Sequence, residues 1–318
     1  MFRGDAVPDV SIVIPTLNGG ALFRRVLEAV KRQATSRSVE ILCVDSGSTD
    51  DTVATAKAFG AEVMSIPRAE FNHGETRNLG IGKAGAEFVI LLTQDALPSN
   101  EKWLEALLEP FSDEKVAGTY ARQAPRNDAD ILTRHRLENW ITFGRERIVR
   151  EIKNRAEYEA LPPVEKYKFC NFDNVCSCIR KSVWRQIPFR RADFAEDMEW
   201  SRDALLAGWK IVYQPEAEVI HSHNRSQVYE HKRTYMVVRR LNELFGYRPV
   251  ENFREAIKNG CFQALQDARV VENAKAPMLA KWRTFLGIPW RNLLVQWAQW
   301  RAVRAIDRGV PIEKQRGV

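Results

Sequence analysis

Ser11-Ile-Val-Ile-Pro15 and Val39-Glu-Ile-Leu-Cys-Val44 are two short apolar runs, each closing on a polar turn. The first runs into Thr16-Leu17-Asn18, the second into Asp45-Ser46-Gly47-Ser48. Runs of this length and composition read as strands of a sheet covered on both faces. Between them Leu22, Val26, Ala29 and Val30 recur at helical spacing. Beyond Asp45, Thr49-Asp50-Asp51 supplies acceptors for the unpaired N–H groups of a helix start, and that helix reaches Phe59. Glu62-Val-Met-Ser65 is a weaker third strand, Thr76 to Ala84 a helix, and Glu87-Phe-Val-Ile-Leu-Leu92 a clear fourth strand. Strands alternating with helices predict an α/β domain around a mostly parallel central sheet.

In such sheets ligands bind outside the carboxyl ends of the strands. Three loops are therefore expected to face one cleft: Pro15-Thr16-Leu17-Asn18, Asp45-Ser46-Gly47-Ser48 and Thr93-Gln94-Asp95. The turn after the first strand, Pro15-Thr-Leu-Asn-Gly-Gly20, is not the G-x-G-x-x-G of a dinucleotide fold. No G-x-x-x-x-G-K-[ST] phosphate loop occurs either. The sheet must hold its ligand with side chains at strand ends.

The 318 residues suffice for one large domain, or a domain with an appendage. A hydrophobic share of 45% and a charged share of 28% are those of a globular chain, and the net charge of +7 suits an anionic partner. No aromatic-basic readout module accompanies that charge, so nucleic acid is not the expected partner. Cys43, Cys170, Cys176, Cys178 and Cys261 are odd in number and lack paired C-x-x-C spacing, which favours reduced thiols in a cytoplasmic protein over a zinc site. Met1 to Pro8 shows no apolar signal region, and no apolar run approaches the roughly 18 residues that span a bilayer.

The middle of the chain, from about Asp128 to Tyr167, reads as helical and rich in both charges. A strand-like piece ends at Arg180-Lys181, and Phe194-Ala-Glu-Asp-Met-Glu-Trp200 opens a helix ending near Gly208. Two short strand pieces follow, Lys210 to Tyr213 and Glu218 to His221. From Gln227 onward the pattern is helical, which divides the chain into a domain over 1–226 and a helical extension over 227–318.

Taken together, Ser11-Ile-Val-Ile-Pro-Thr-Leu-Asn18, Val44-Asp-Ser-Gly-Ser-Thr-Asp-Asp-Thr52, Arg77-Asn78-Leu-Gly and a strand ending at an Asp resemble family 2 glycosyltransferases of the GT-A fold, over roughly residues 10 to 225. Phe71-Asn-His-Gly-Glu-Thr-Arg-Asn78 and Leu92-Thr-Gln-Asp-Ala96 further resemble the bacterial rhamnosyltransferase branch. The resemblance implies inverting transfer of a sugar from a nucleoside-diphosphate donor, dTDP-rhamnose or a UDP-sugar. The acceptor would be a glycan or a lipid-linked glycan, in polysaccharide synthesis at the inner face of a bacterial membrane.

It also implies roles for particular residues. Pro15 and Thr16 would line the base pocket, with Asn18 and Gln94 as further donor-binding residues. Asp45 would accept from the nucleobase N–H, as a carboxylate can; its alternative is a turn residue. Arg77 would face the donor, with a surface ion pair as the alternative, and His73 is a further donor contact. Asp95 would hold Mg²⁺ or Mn²⁺ against the diphosphate, although Thr93 stands where the family usually has the first Asp of Asp-x-Asp. His223, or else His221, would join it. Asp197 would be the general base toward the acceptor hydroxyl, with Glu196 and Asn174 on the acceptor side. Because a helix N-terminus stabilises negative charge, Asp197 is expected to act by position rather than by a raised pKa.

Asn273 to Ile306 contains six basic residues, no acidic one, and four of the nine Trp: Trp282, Trp290, Trp297 and Trp300. Such a stretch fits either an anionic membrane surface or a Trp-rich helix packed on protein. Three other readings of the chain have less behind them. A non-catalytic sugar-binding relative is motivated by Thr93 and opposed by the acidic pair Glu196-Asp197. A nucleotidyltransferase would need a Gly-rich Arg-Lys loop that Leu17-Asn-Gly-Gly20 lacks. A nucleic-acid binder is motivated by charge alone.

Overall fold

A computed structural model describes residues 7–192 and 194–312. The start of the leader reading, 1–6, lies outside the described residues. The chain folds as two compact units. The first comprises the residues up to Ala124, Ile141–Ala160 and Phe169–His221; the second comprises Pro125–Trp140, Leu161–Lys168 and the residues from Ser222 on.

The first unit is built on one nine-stranded sheet. Its leading half alternates as expected: β1 (Val10–Thr16), α1 (Gly20–Lys31), β2 (Val39–Asp45), α2 (Thr52–Ala58), β3 (Glu62–Ser65), α3 (His73–Lys83) and β4 (Phe88–Leu92). There follow β5 (Leu97–Pro98), α4 (Trp103–Leu108), β6 (Val116–Ala124), α5 (Ile131–Glu138, in the second unit), β7 (Ile148–Arg150), α6 (Arg155–Ala160), α7 (Pro163–Phe169, all but its last residue in the second unit), β8 (Cys176–Arg180), α8 (Lys181–Gln186), α9 (Glu196–Leu206) and β9 (Lys210–Ile220). The spatial order is β3-β2-β1-β4-β8-β6-β9-β5, with β7 on β9. The pairings set β1, β2, β3, β4, β6 and β9 in one direction and β5, β7 and β8 in the other. The sheet is thus mixed and mostly parallel, an α/β architecture of the GT-A type.

Ile12, Ile14, Phe23, Leu27, Cys43, Ile90, Trp103 and Leu107 form one buried cluster between sheet and helices. Pro15 has no N–H, and it sits beyond Val13, the last β1 residue in register with β4. α3 approaches β1 through Gly80, where a Cβ would lie 2.3 Å from a Val13 methyl.

Three sequence expectations change. The pieces Lys210–Tyr213 and Glu218–His221 are one strand, β9, whose register with β6 is interrupted between Ala121 and Arg122; Pro215 lies in the skipped stretch, where no ladder N–H is required. The segment from Asp128 to Tyr167 holds short helices and also the strand β7. The central strand β6 has no counterpart in the sequence pattern, because Gly118, Thr119, Arg122 and Gln123 give it little apolar signal. Yet nearly all of it is buried, and Gly118 leaves room for the Phe172 and Trp200 rings.

The second unit contains α10 (Gln227–Phe245), α11 (Phe253–Asn273) and α12 (Met278–Asp307). Each of α10 and α11 starts on a side-chain cap, Ser226 and Asn252. Val238, Val250, Ala256, Ala302 and Val303 form one core cluster, and Leu132, Val271 and Ile288 another. Asp267 is buried beneath hydrogen bonds from Arg136, Gln263 and Asn292.

Candidate functional site

The three loops at the strand ends meet, as the topology requires. Thr16 Oγ1 donates to Asp45 Oδ1 at 2.9 Å, joining the ends of β1 and β2. The Gln94 side chain clamps the end of β4 to the first loop: its Oε1 accepts from Leu17 N and its Nε2 donates to Leu17 O, both at 2.9 Å. Asn18 adopts a left-handed backbone (φ 47°), which its short polar side chain tolerates, and its Oδ1 accepts from Thr49 N.

Asp45 is buried and also organises its own turn, accepting from Gly47 N, Ser48 N and Ser48 Oγ. Burial opposes its charge, but these bonds and that from Thr16 more than offset burial and hold its carboxyl below the usual range.

His73 opens α3, whose cap is Asn72; Asn72 Oδ1 accepts from Gly74 N and Glu75 N. A Cβ on Gly74 would stand 2.1 Å from the Arg190 carbonyl oxygen, so the residue there must be Gly for the Arg190 segment to come this close. One turn on, Arg77 is buried. Its Nη1 donates to His73 O at 3.1 Å and to Glu196 Oε1 at 3.0 Å. The alternative of a surface ion pair is therefore excluded by burial: this ion pair is internal.

Glu196 and Asp197 begin α9, immediately after Ala195 in the left-handed region (φ 55°). A non-glycine residue there costs on the order of 1–2 kcal/mol, a strain that a site can retain. Asn174 ties the pair down from the loop before β8. Its N–H donates to Asp197 Oδ2 at 3.1 Å, and its Nδ2 to Glu196 Oε1 at 3.3 Å. For Glu196, burial opposes charge but the Arg77 and His73 charges prevail and lower its pKa. Asp197 goes the other way. Desolvation, then the Glu196 and Asp173 carboxylates, push it well above the usual Asp value. This corrects the expectation that the helix N-terminus keeps it ordinary, since burial beside two carboxylates outweighs the backbone dipole.

Asp95 follows β4 and is half-buried; it does not cap α4, which starts eight residues later. Its Oδ2 lies 3.7 Å from Nε2 of His221, at the end of β9. His223 is exposed and two residues further on, a tether of at most about 7 Å. One carboxylate with imidazoles is a donor set that suits Mn²⁺ and, through its oxygen, Mg²⁺. The residues therefore fit the divalent ion that the resemblance implies.

Two residues that the sequence did not single out complete the arrangement. Gln123, buried near the end of β6, donates from Nε2 to Asp173 Oδ2 at 2.5 Å. Its Oε1 faces His221 Nδ1 at 3.2 Å. An amide oxygen only accepts, so this contact calls for a proton on His221 Nδ1 and leaves Nε2 as the ring nitrogen that faces Asp95. Gln123 has no sequence signal beyond its place at a strand end on the ligand side of the sheet; Asp173 lies inside residues 171–174, the segment that resembles the family's acceptor-facing loop.

Comparison with known proteins agrees with this geometry. The profile of the family described as Glycosyl transferase family 2 matches residues 11–187. The O-antigen chain rhamnosyltransferase RfbN of Salmonella typhimurium is 34% identical over 230 residues, covering 71% of this chain and 70% of that protein. The O-antigen chain rhamnosyltransferase WbaN of Salmonella anatum is 33% identical over 236 residues, covering 72% and 71%. Among solved structures, the mannosyltransferase PcManGT from Pyrobaculum calidifontis, in complex with GDP-Man and Mn²⁺, superposes with a TM-score of 0.52 at 16% identity, over 98% of this chain and 79% of that one. S. aureus TarS 1–349 with UDP-GlcNAc gives 0.53 at 14% identity, over 96% and 93%. The fold, the strand-end loops and these relatives lead to one conclusion: the chain belongs to glycosyl transferase family 2, on its rhamnosyltransferase branch.

Proposed function

We propose that this glycosyltransferase moves rhamnose from dTDP-rhamnose to a glycan or lipid-linked glycan acceptor, by single displacement with inversion. The observation that carries the reading is the acidic pair at the start of α9, with Asn174 bonded to both Asp197 and Glu196 and Arg77 paired to Glu196; desolvation and the neighbouring carboxylates raise the Asp197 carboxyl. A carboxylate with a raised pKa is a stronger base, and one base suffices when the acceptor hydroxyl attacks the anomeric carbon directly. The rhamnose donor is supported by the two O-antigen rhamnosyltransferases.

In this reading Pro15, Thr16, Asn18 and Asp45 form the wall against the nucleobase, and Gln94 holds that wall in place. The Ser48 hydroxyl bond to Asp45 is the one a base N–H would replace, since a hydroxyl can rotate away. Arg77 positions Glu196, and His73 faces the donor. Asp95 and His221 would hold the divalent ion, and neighbours solved with Mn²⁺ support such an ion. When bound, the ion neutralises charge developing on the departing diphosphate. Gln123 keeps the His221 lone pair directed at the ion, and Asp173 keeps the amide of Gln123 from turning over.

The test is a donor screen: dTDP-rhamnose, UDP-glucose and GDP-mannose, each with and without Mn²⁺, followed by release of nucleoside diphosphate. Turnover restricted to dTDP-rhamnose and dependent on Mn²⁺ supports the reading, and the anomeric configuration of the product by NMR should be opposite to the donor's. Preference for another donor would reassign the substrate. Retained configuration would reject the single displacement.

A further inference from the structure

Along α12, Leu279, Trp282, Leu286, Trp290, Leu293 and Trp297 are all exposed; Leu286 is 79%, Trp282 61% and Trp290 56% accessible. Their steps of three and four residues place them within an arc of about 80° at 100° per residue, a stripe about 27 Å long. The opposite side of the helix carries Ile288, Asn292, Ala298, Ala302 and Val303, all buried. The stripe is therefore not the packing face of α12. Phe253 and Trp300 close one end of it, with ring centroids 6.3 and 5.0 Å from that of Trp297. Monomeric proteins rarely leave an apolar strip of this size to water unless something covers it.

Charge indicates what covers it. Lys275, Lys281 and Arg283 lie at one end and Arg301 and Arg304 at the other, and no acidic residue occurs from Asn273 to Ile306. Among the described residues none of these five is ion-paired to a carboxylate. A second copy of the chain fits poorly: a self-complementary contact along this helix, in either direction, would set basic ends against basic ends. An anionic bilayer takes both components, with Trp and Leu entering the headgroup region and the basic ends meeting lipid phosphates. Among the described residues no helix is long and apolar enough to cross a membrane, so this one would lie in the interface plane.

We propose that the outward stripe of α12 is a docking face for an anionic lipid surface. This deepens the lipid-linked acceptor reading, since it would bring the enzyme to the plane where such an acceptor resides. The test uses the full chain and vesicles without any acceptor lipid, so that docking and acceptor chemistry are read separately. Co-sedimentation should be strong with phosphatidylglycerol-containing vesicles at low salt. It should weaken at least about tenfold with pure phosphatidylcholine, or at roughly half-molar salt. The triple variant Trp282→Glu, Leu286→Glu, Trp290→Glu changes only exposed side chains. It should stay in the supernatant while hydrolysing dTDP-rhamnose at the wild-type rate. A wild-type chain that ignores anionic vesicles at low salt overturns the proposal, as does a triple variant that pellets equally. If the wild type sediments as a dimer in solution and the variant as a monomer, with no vesicle binding by either, the occupant is a second copy. Docking with an acceptor that proves water-soluble would leave the face standing and remove the lipid-linked reading.

Discussion

Arg77 Nη1 stands 3.0 Å from Glu196 Oε1, and each side chain is 7% exposed. Two charges so far from water persist because each neutralises the other and Asn174 adds a bond to the carboxylate. Removing one partner leaves the other uncompensated. Arg77→Met should therefore cost about 3–5 kcal/mol in urea denaturation. The double variant Arg77→Met, Glu196→Gln should recover a large part of it, because a neutral amide needs no counter-charge. A single variant within error of wild type would show that the pair is not buried together.

The raised Asp197 carboxyl has consequences of defined sign. The folded chain keeps a proton on Asp197 where the unfolded chain has lost it. Its contribution to stability is present at low pH and is lost as pH rises from the ordinary Asp range through the raised value. Activity runs the opposite way, since a base must be unprotonated. The acid limb of the kcat/KM profile should lie above the usual carboxylate range. Asp197→Asn should abolish that limb and lower kcat by roughly two orders of magnitude or more, with donor binding retained. Wild-type turnover in this variant would move the base to another group, with Glu196 the next to test.

Asp95 and His221 should control the ion. Asp95→Ala should remove the Mn²⁺-dependent part of dTDP binding in calorimetric titration, and His221→Ala should weaken it. Binding without metal should persist, because the proposed base pocket lies at the ends of β1 and β2, apart from the metal ligands. Unchanged Mn²⁺-dependent affinity in folded Asp95→Ala would place the ion elsewhere.

The leading half of the sheet was legible because its strands are continuous apolar runs, and the loops at their ends follow from topology alone. Ala195, Asp173 and Gln123 illustrate what was not legible. The left-handed backbone at Ala195 has no residue signature, because the usual marker of positive φ is Gly or Asn. β6 was hidden by its polar and small residues, and with it the placement of Gln123. The direction of the Asp197 pKa does not follow from the helix start, which is local and visible: desolvation, which no residue pattern displays, dominates it, followed by Glu196 and by Asp173 from a distant loop. In the tail the helical period of the Trp was plain, but a period does not reveal which face turns outward.

Gln123 permits the most discriminating experiment. Its two bonds do different things: Nε2 to Asp173 fixes which way the amide faces, and Oε1 to His221 then fixes which imidazole nitrogen holds the proton. Partners of this kind behind a metal-binding His typically affect metal affinity by about 10–100-fold. Gln123→Leu should therefore weaken Mn²⁺-dependent dTDP binding by that order, while binding measured without metal stays at the wild-type value. The loss of stability should be modest, about 1–3 kcal/mol, the usual scale for buried hydrogen bonds removed from one side. Asp173→Asn keeps the shape but lets the Gln123 amide adopt either orientation, so it should move the same affinity in the same direction by a smaller factor. A merely structural Gln123 would lower stability and leave the ratio of affinities with and without Mn²⁺ unchanged. That ratio, measured by calorimetry on the two variants and the wild type, decides whether the residue positions the ligand or only fills the strand.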